Sequence, residues 1–115
     1  MQPTVFGRIL GELIGQIPGS RGAVMADWDG ETVDKASRVD DDEMALFAAH
    51  WGIVFYQAKA RFRRLALGHP EVMLLTFAEE QVMVRSIDED YYVALALPLD
   101  ANIGRAGTLL DRARE

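Results

Sequence analysis

The sequence contains no cysteine, and none of its apolar runs reaches the roughly 18 residues of a membrane-spanning helix. The first absence excludes disulfides and thiolate metal sites, and the second argues against insertion into a membrane. Positive charge is also scarce, with 12 Lys and Arg against 18 Asp and Glu, a net charge of -6. This balance disfavours nucleic acid and anionic membranes as the main partners.

Hydrophobic residues make up 50% of the 115 residues, too large a share for a disordered chain. The length suits one domain of ordinary size, and neither a repeat nor a linker divides it. We therefore predict a single domain over residues 1–115. The lack of cysteine, and of a basic stretch followed by an apolar block at the N-terminus, favours a cytoplasmic location.

Helical and strand periodicities alternate along the chain, which predicts a mixed α and β fold. The predicted order is helix, two strands, long helix, three strands, helix. The turns between consecutive strands are so short that they require antiparallel hairpins. The predicted boundaries are 4–17, 22–28, 31–37, 41–67, 71–78, 81–87, 91–97 and 101–114.

Three glycines, Gly7, Gly11 and Gly15, recur at four-residue spacing in the first predicted helix. Each costs a helix about 0.8–1.0 kcal/mol relative to alanine. The spacing therefore predicts that another backbone, that of the last helix, passes close to this ridge.

The long central helix carries two apolar stripes. Asp40 is its predicted cap, with Glu43 three residues later, and this explains the acidic run at residues 40–43 without a bound cation. One stripe can cover the sheet: Met44, Phe47, Ala48, Trp51, Phe55, Ala58, Phe62 and Leu65. The second lies nearly opposite: Leu46, Ala49, Ile53, Tyr56 and Ala60.

A helix that is apolar on two faces is buried on two faces, and a chain of this length has little left to cover the second stripe. We predict that this stripe is a subunit interface. Its alternation of bulky and small residues fits helix packing better than the alternative, a ligand pocket. The strand at residues 71–78 is apolar on both faces, which is compatible with a sheet that continues across a dimer.

Several short motifs occur in a fixed order along nearly the whole chain. They are Ile17-Pro18-Gly19, then Gly22-Ala23-Val24-Met25 running to Asp29-Gly30, and Tyr92 to Leu97 followed by Asp100-Ala101-Asn102-Ile103-Gly104. On these motifs the chain resembles the roadblock domain proteins, a family related to dynein light chains and to bacterial partners of Ras-like GTPases.

The resemblance implies an α+β fold of profilin-like type, α-β-β-α-β-β-β-α. The central helix would cover one face of a five-stranded antiparallel sheet, and the terminal helices the other. It also implies a homodimer joined by the central helices and the following strand. The predicted interface is Leu46, Ala49, Ile53, Tyr56, Ala60, Val72 and Leu74.

The resemblance further implies a non-catalytic regulator or scaffold of a Ras-like small GTPase, and some members of the family accelerate GTP hydrolysis. We expect no cofactor and no metal. The predicted partner surface is the exposed side of the paired central helices near His50, Gln57, Arg61 and Arg64. Two alternatives stay open: a structural, light-chain-like adaptor for a partner other than a GTPase, and a small-molecule sensor.

An enzyme is the least favoured reading. His50 and His69 are the candidate bases at neutral pH, and neither has a serine or acid at a recognisable catalytic spacing. A calcium loop built on Asp27, Asp29 and Gly30 would need acids where other residues stand, so a hairpin turn explains these residues better. The sequence also lacks the GxxxxGK[ST] loop of nucleotide-binding proteins.

The basic run Lys59, Arg61, Arg63 and Arg64 has two open interpretations. It can meet phosphate or the acidic surface of a partner, or it can be a solvated helix end that suits the negative pole of the helix dipole. An arginine finger is disfavoured, because such arginines usually project from a loop and these lie on a helix.

Overall fold

The structure, a computed structural model, describes residues 5–29, 31–65, 71–87 and 90–114. Its elements are α1 (Val5–Gly15), β1 (Gly22–Asp27), β2 (Thr32–Ser37), α2 (Asp41–Arg64), β3 (Val72–Thr76), β4 (Gln81–Ser86), β5 (Tyr91–Leu97) and α3 (Ile103–Arg114). The predicted order and the α+β class are confirmed. Gly30, His69 and the predicted continuation of α2 through residues 66–67 lie outside the described residues.

The five strands form one antiparallel sheet in the order β2-β1-β5-β4-β3. The centre is the pair β1 and β5, whose register runs from Gly22 opposite Ala96 to Asp27 opposite Tyr91. Strands β2 and β3 are the two edges. The predicted hairpin between β1 and β2 is present, with a bulge between Met25 and Ala26.

Each face of the sheet carries its own core, because β1, β4 and β5 are apolar on both sides. One core joins alternate strand residues to α1 and α3 and contains Leu10, Leu13, Met25, Met83, Leu95 and Leu109. The other joins the intervening residues to α2 and contains Val24, Met44, Ala48, Phe55, Val84 and Tyr92. The three-layer arrangement that the resemblance implied is therefore confirmed.

Helix α2 begins where the sequence predicts. The carboxylate of Asp40 accepts hydrogen bonds from the backbone amides of Asp42 at 2.8 Å and Glu43 at 3.2 Å. The side chain of Glu43 accepts a hydrogen bond from Arg21 at 3.1 Å. Asp40 therefore caps the helix as predicted, whereas the Glu43 side chain binds Arg21.

The end of α1 is closed by a residue that the sequence did not single out. The guanidinium of Arg38, just after β2, donates to the carbonyl of Ile14 at 2.8 Å and to that of Ser20 at 2.9 Å. Carbonyls at a helix C-terminus lack partners within the helix, so a buried end needs such donors. Arg38 thus ties β2 to α1.

The prediction drawn from the glycine ridge of α1 is wrong for the two glycines whose surroundings are described. A Cβ built on Gly11 or Gly15 meets no atom within 4 Å. The four-residue spacing of the glycines shows which face of α1 lacks side chains, but it does not show which element packs against that face. No second backbone packs against these two positions.

A close approach occurs at Gly52, in the middle of α2. A Cβ added there would overlap the hydroxyl of Tyr92, a fully buried residue of β5. That hydroxyl donates to the carbonyl of Ala48 at 2.8 Å. Burial, reinforced by the charge of Asp27, raises the pKa of Tyr92 from 10.0 to about 12.

We expect Gly52→Ala to lower the free energy of unfolding by about 2–4 kcal/mol, because the methyl group displaces Tyr92 and breaks its hydrogen bond. The matched control is Gly11→Ala, in open space on α1. It should raise stability by about 0.8–1.0 kcal/mol through helix propensity. Urea denaturation measures both, and effects of the same sign would contradict the close approach.

The raised pKa of Tyr92 predicts a loss of stability at alkaline pH. The unfolded chain releases the phenolic proton near pH 10, whereas the folded chain holds it to about pH 12. The stabilisation is therefore complete below pH 10 and lost between about pH 10 and 12, a change of roughly 2–3 kcal/mol. Tyr92→Phe should flatten the unfolding free energy over this interval. A wild-type slope in the variant would contradict the assignment.

Candidate functional site

The outer face of α2, turned away from the sheet, exposes large apolar side chains. Leu46 is 73% exposed, Ile53 59% and Tyr56 60%, with Ala60 also exposed and Ala49 half-buried between them. These five residues are the second apolar stripe predicted for this helix, hereafter the outer stripe. Contiguous apolar surface of this kind is typical of an interaction site. Its use as a subunit interface stays a prediction.

The two strand residues of the predicted interface lie elsewhere. Val72, 44% exposed, and Leu74, 40% exposed, belong to the edge strand β3. Leu74 stands opposite Met83, which belongs to the core under α1 and α3. Directly opposed residues share a face of the sheet. Val72 and Leu74 therefore point away from α2, and the structure does not bring them onto the surface that carries the outer stripe.

The predicted partner residues His50, Gln57, Arg61 and Arg64 share one flank of α2 and are all exposed. His50 packs edge-on against Trp51, with ring centroids 5.3 Å apart. Both ion pairs found among the described residues belong to Arg21, so neither Arg61 nor Arg64 is neutralised by a carboxylate of that part of the chain. The flank is free to meet an acidic surface.

A groove of about 950 Å³ runs beside this flank, between α2 and the end of β3. Phe47, Trp51 and Phe77 give it an aromatic wall, with the rings of Trp51 and Phe77 5.6 Å apart. At its rim, Arg21 donates two hydrogen bonds to Glu80, at 2.9 and 2.8 Å. Nothing in the sequence indicated this pair, because 59 positions separate its members.

The candidate metal-binding and catalytic residues do not form a recognisable site in the described part of the chain. One carboxylate oxygen of Asp27 accepts hydrogen bonds from the backbone amides of Asp29 and Glu31, both at 3.0 Å. It thus serves the hairpin turn. In the described ranges no group of three or more His, Asp or Glu side chains could hold a metal ion. His69 lies outside these ranges.

Within the same ranges, no helix combines the length and the hydrophobicity needed to cross a membrane.

The sequence matches no protein-family model and no curated protein. Solved structures do match. A Roadblock/LC7 domain from Streptomyces avermitilis shares 15% identity, with 94% of this chain and 90% of that chain covered, at a TM-score of 0.86. MglB from Myxococcus xanthus shares 8% identity, with 96% and 89% covered, at a TM-score of 0.85. An MglB with a tetrameric arrangement shares 16% identity, with 100% and 88% covered, at a TM-score of 0.83.

At identities this low, the structural similarity establishes the fold alone. The similarity extends over nearly the full length of each pair. The resemblance found in the sequence motifs is confirmed at this level. The chain has the fold of the Roadblock/LC7 domain.

Proposed function

We propose that this chain is a non-catalytic, homodimeric regulator or scaffold that binds a Ras-like small GTPase. The observation that carries the proposal is the outer stripe, an apolar helix face left uncovered in a chain with the Roadblock/LC7 fold. Side chains as large as Leu46, Ile53 and Tyr56 gain free energy when a second surface removes them from water. Proteins with a similar structure include an MglB with a tetrameric arrangement, which supports the proposal that this chain self-associates.

If β3 takes part in the dimer, the interface must include residues on both faces of the sheet. Val72 and Leu74 face away from α2, so one flat interface cannot contain them together with the outer stripe. Pairing of β3 with β3 of a second copy resolves this. The seam then has α2 of each copy on one face, and Val72 and Leu74 of each copy on the other. Edge strands are natural sites for such pairing.

The proposed GTPase contact is the flank of His50, Gln57, Arg61 and Arg64. Its two arginines give a local positive charge to a chain whose net charge is -6, and they favour an acidic surface on the partner. If the protein stimulates GTP hydrolysis, the arginines act from a helix, so the mechanism we propose is ordering of the switch loops of the GTPase. We expect the protein to work in the cytoplasm without a cofactor.

A second candidate is a structural adaptor for a partner other than a GTPase. The observation that favours it is the edge strand β2, to which no other described strand pairs on its outer side. An extended peptide can add to such an edge through main-chain hydrogen bonds.

The dimer predicts a specific effect of Ile53→Asp. A carboxylate at the centre of the outer stripe would be buried without a partner, at a cost of several kcal/mol. We expect light scattering to show a shift from dimer to monomer. The matched control is Val33→Asp, an exposed apolar position on β2, which should leave the dimer intact. A wild-type dimer with Asp at position 53 would show that the stripe is not the interface.

The GTPase contact predicts nucleotide-dependent capture. The protein is immobilised and exposed to lysate of its host, loaded with GDP or with a non-hydrolysable GTP analogue. We expect a small GTPase to be retained in one nucleotide state. Arg61→Glu with Arg64→Glu should weaken retention about tenfold or more through charge repulsion.

The matched control for this capture is Lys59→Glu with Arg63→Glu, the same charge change on the opposite flank of α2. It should retain the GTPase. Capture of the same non-GTPase protein in both nucleotide states would instead support the adaptor.

A further inference from the structure

A small pocket of about 210 Å³ lies on the flank of α2 that faces β1, around the helix from the proposed partner surface. Its lining is Trp28, Tyr56, Lys59, Ala60 and Arg63. Lys59 and Arg63 are four residues apart on the helix, so their side chains leave it on the same side. Two cationic side chains therefore line one cavity.

The ring of Trp28 forms a rigid wall of this pocket. It stacks on Phe55, with centroids 5.7 Å apart, and packs against the tilted ring of Tyr92, with centroids 4.8 Å apart. The ammonium of Lys59 lies 4.3 Å from the centroid of the same ring. This cation–π contact fixes a flexible side chain at the pocket while leaving its N–H donors available.

The described residues of the lining include no carboxylate. Neither Lys59 nor Arg63 takes part in an ion pair with any residue that the structure describes. The adjoining β1–β2 turn carries the acids Asp27, Asp29 and Glu31. Asp27 is already engaged by two backbone amides at 3.0 Å. In a chain with a net charge of -6, these two cations have no carboxylate at ion-pair distance among the described residues.

We propose that this pocket binds a phosphate monoester. Such a group carries a charge of about -1.5 to -2 at neutral pH and three strong acceptor oxygens. The two cations match that charge, and the planar fork of an arginine can donate to two phosphate oxygens at once. The hydroxyl of Tyr56 supplies a further donor. The volume equals that of roughly seven liquid waters, enough for one phosphate group.

The site is separate from the proposed GTPase contact. Arg61 and Arg64 leave α2 on the other flank, next to the groove of Trp51 and Phe77. Loss of phosphate binding would therefore leave the GTPase proposal standing, and the reverse also holds.

The two tryptophans provide a direct test in the wild-type chain. In a ¹⁵N-correlated NMR spectrum each indole N–H gives one signal, and Trp51→Phe assigns them. We expect titration with O-phosphoserine at low ionic strength to shift the Trp28 signal saturably and to leave the Trp51 signal in place. Unphosphorylated serine should shift neither signal. A Trp28 signal that does not move with O-phosphoserine would overturn the proposal.

Two charge-matched variants locate the site. Lys59→Gln with Arg63→Gln should weaken the binding of O-phosphoserine about tenfold or more, because two charge-assisted contacts are lost. Arg61→Gln with Arg64→Gln removes the same charge from the other flank and should change it less than about twofold. Equal weakening by both variants would show a general effect of net charge and contradict the site. The Trp51 signal reports that each variant is folded.

Two further ligands define the chemistry and its source. Glutarate, a dicarboxylate, should bind at least about tenfold more weakly than O-phosphoserine, and equal binding would overturn the preference for phosphate. Inorganic phosphate and a phosphoserine peptide then distinguish the sources. Equal affinities indicate a free phosphate compound, whereas tighter binding of the peptide indicates a phosphorylated protein.

Discussion

The contact of Tyr92 with α2 fixes the rotation of this helix about its axis. It thereby decides which helix residues face the sheet and which face outward. The Tyr92 hydroxyl reaches the carbonyl of Ala48 across the glycine at position 52, where any side chain would block it. The helix is held at this contact, and Met44 and Phe55, which lie before and after it along the chain, are buried in the same core. The helix therefore cannot rotate about its axis. The outward direction of the stripe and of both flanks follows from that constraint.

Aromatic contacts connect both flanks of α2 to the sheet and its following loop. On the β1 side, Trp28 packs on Tyr92 and supports Lys59. On the β3 side, Trp51 packs on Phe77, and His50 packs on Trp51. The basic residues of the last turns of α2 are therefore divided between two surroundings. Lys59 rests on an aromatic wall, whereas Arg61 and Arg64 are solvated beside a groove.

The sequence predicted what depends on local spacing. The cap at Asp40, the two stripes of α2 and the order of helices and strands along the chain follow from periods and turns that a short window contains. It could not predict Arg21 with Glu80, or Arg38 at the end of α1, because long chain separations leave no pattern. A strand that is apolar on both sides also has no alternation. Nothing in residues 71–78 therefore revealed that Val72 and Leu74 face away from α2.

The residues that the surfaces of α2 share decide how binding at one surface can influence another. Tyr56 and Ala60 line the phosphate pocket and belong to the outer stripe. A second copy seated on the stripe would therefore contact one wall of the pocket, whereas His50, Gln57, Arg61 and Arg64 share no residue with it. Linkage requires that a ligand interact differently with the two assembly states. The shared wall supplies such a difference between phosphate binding and self-association.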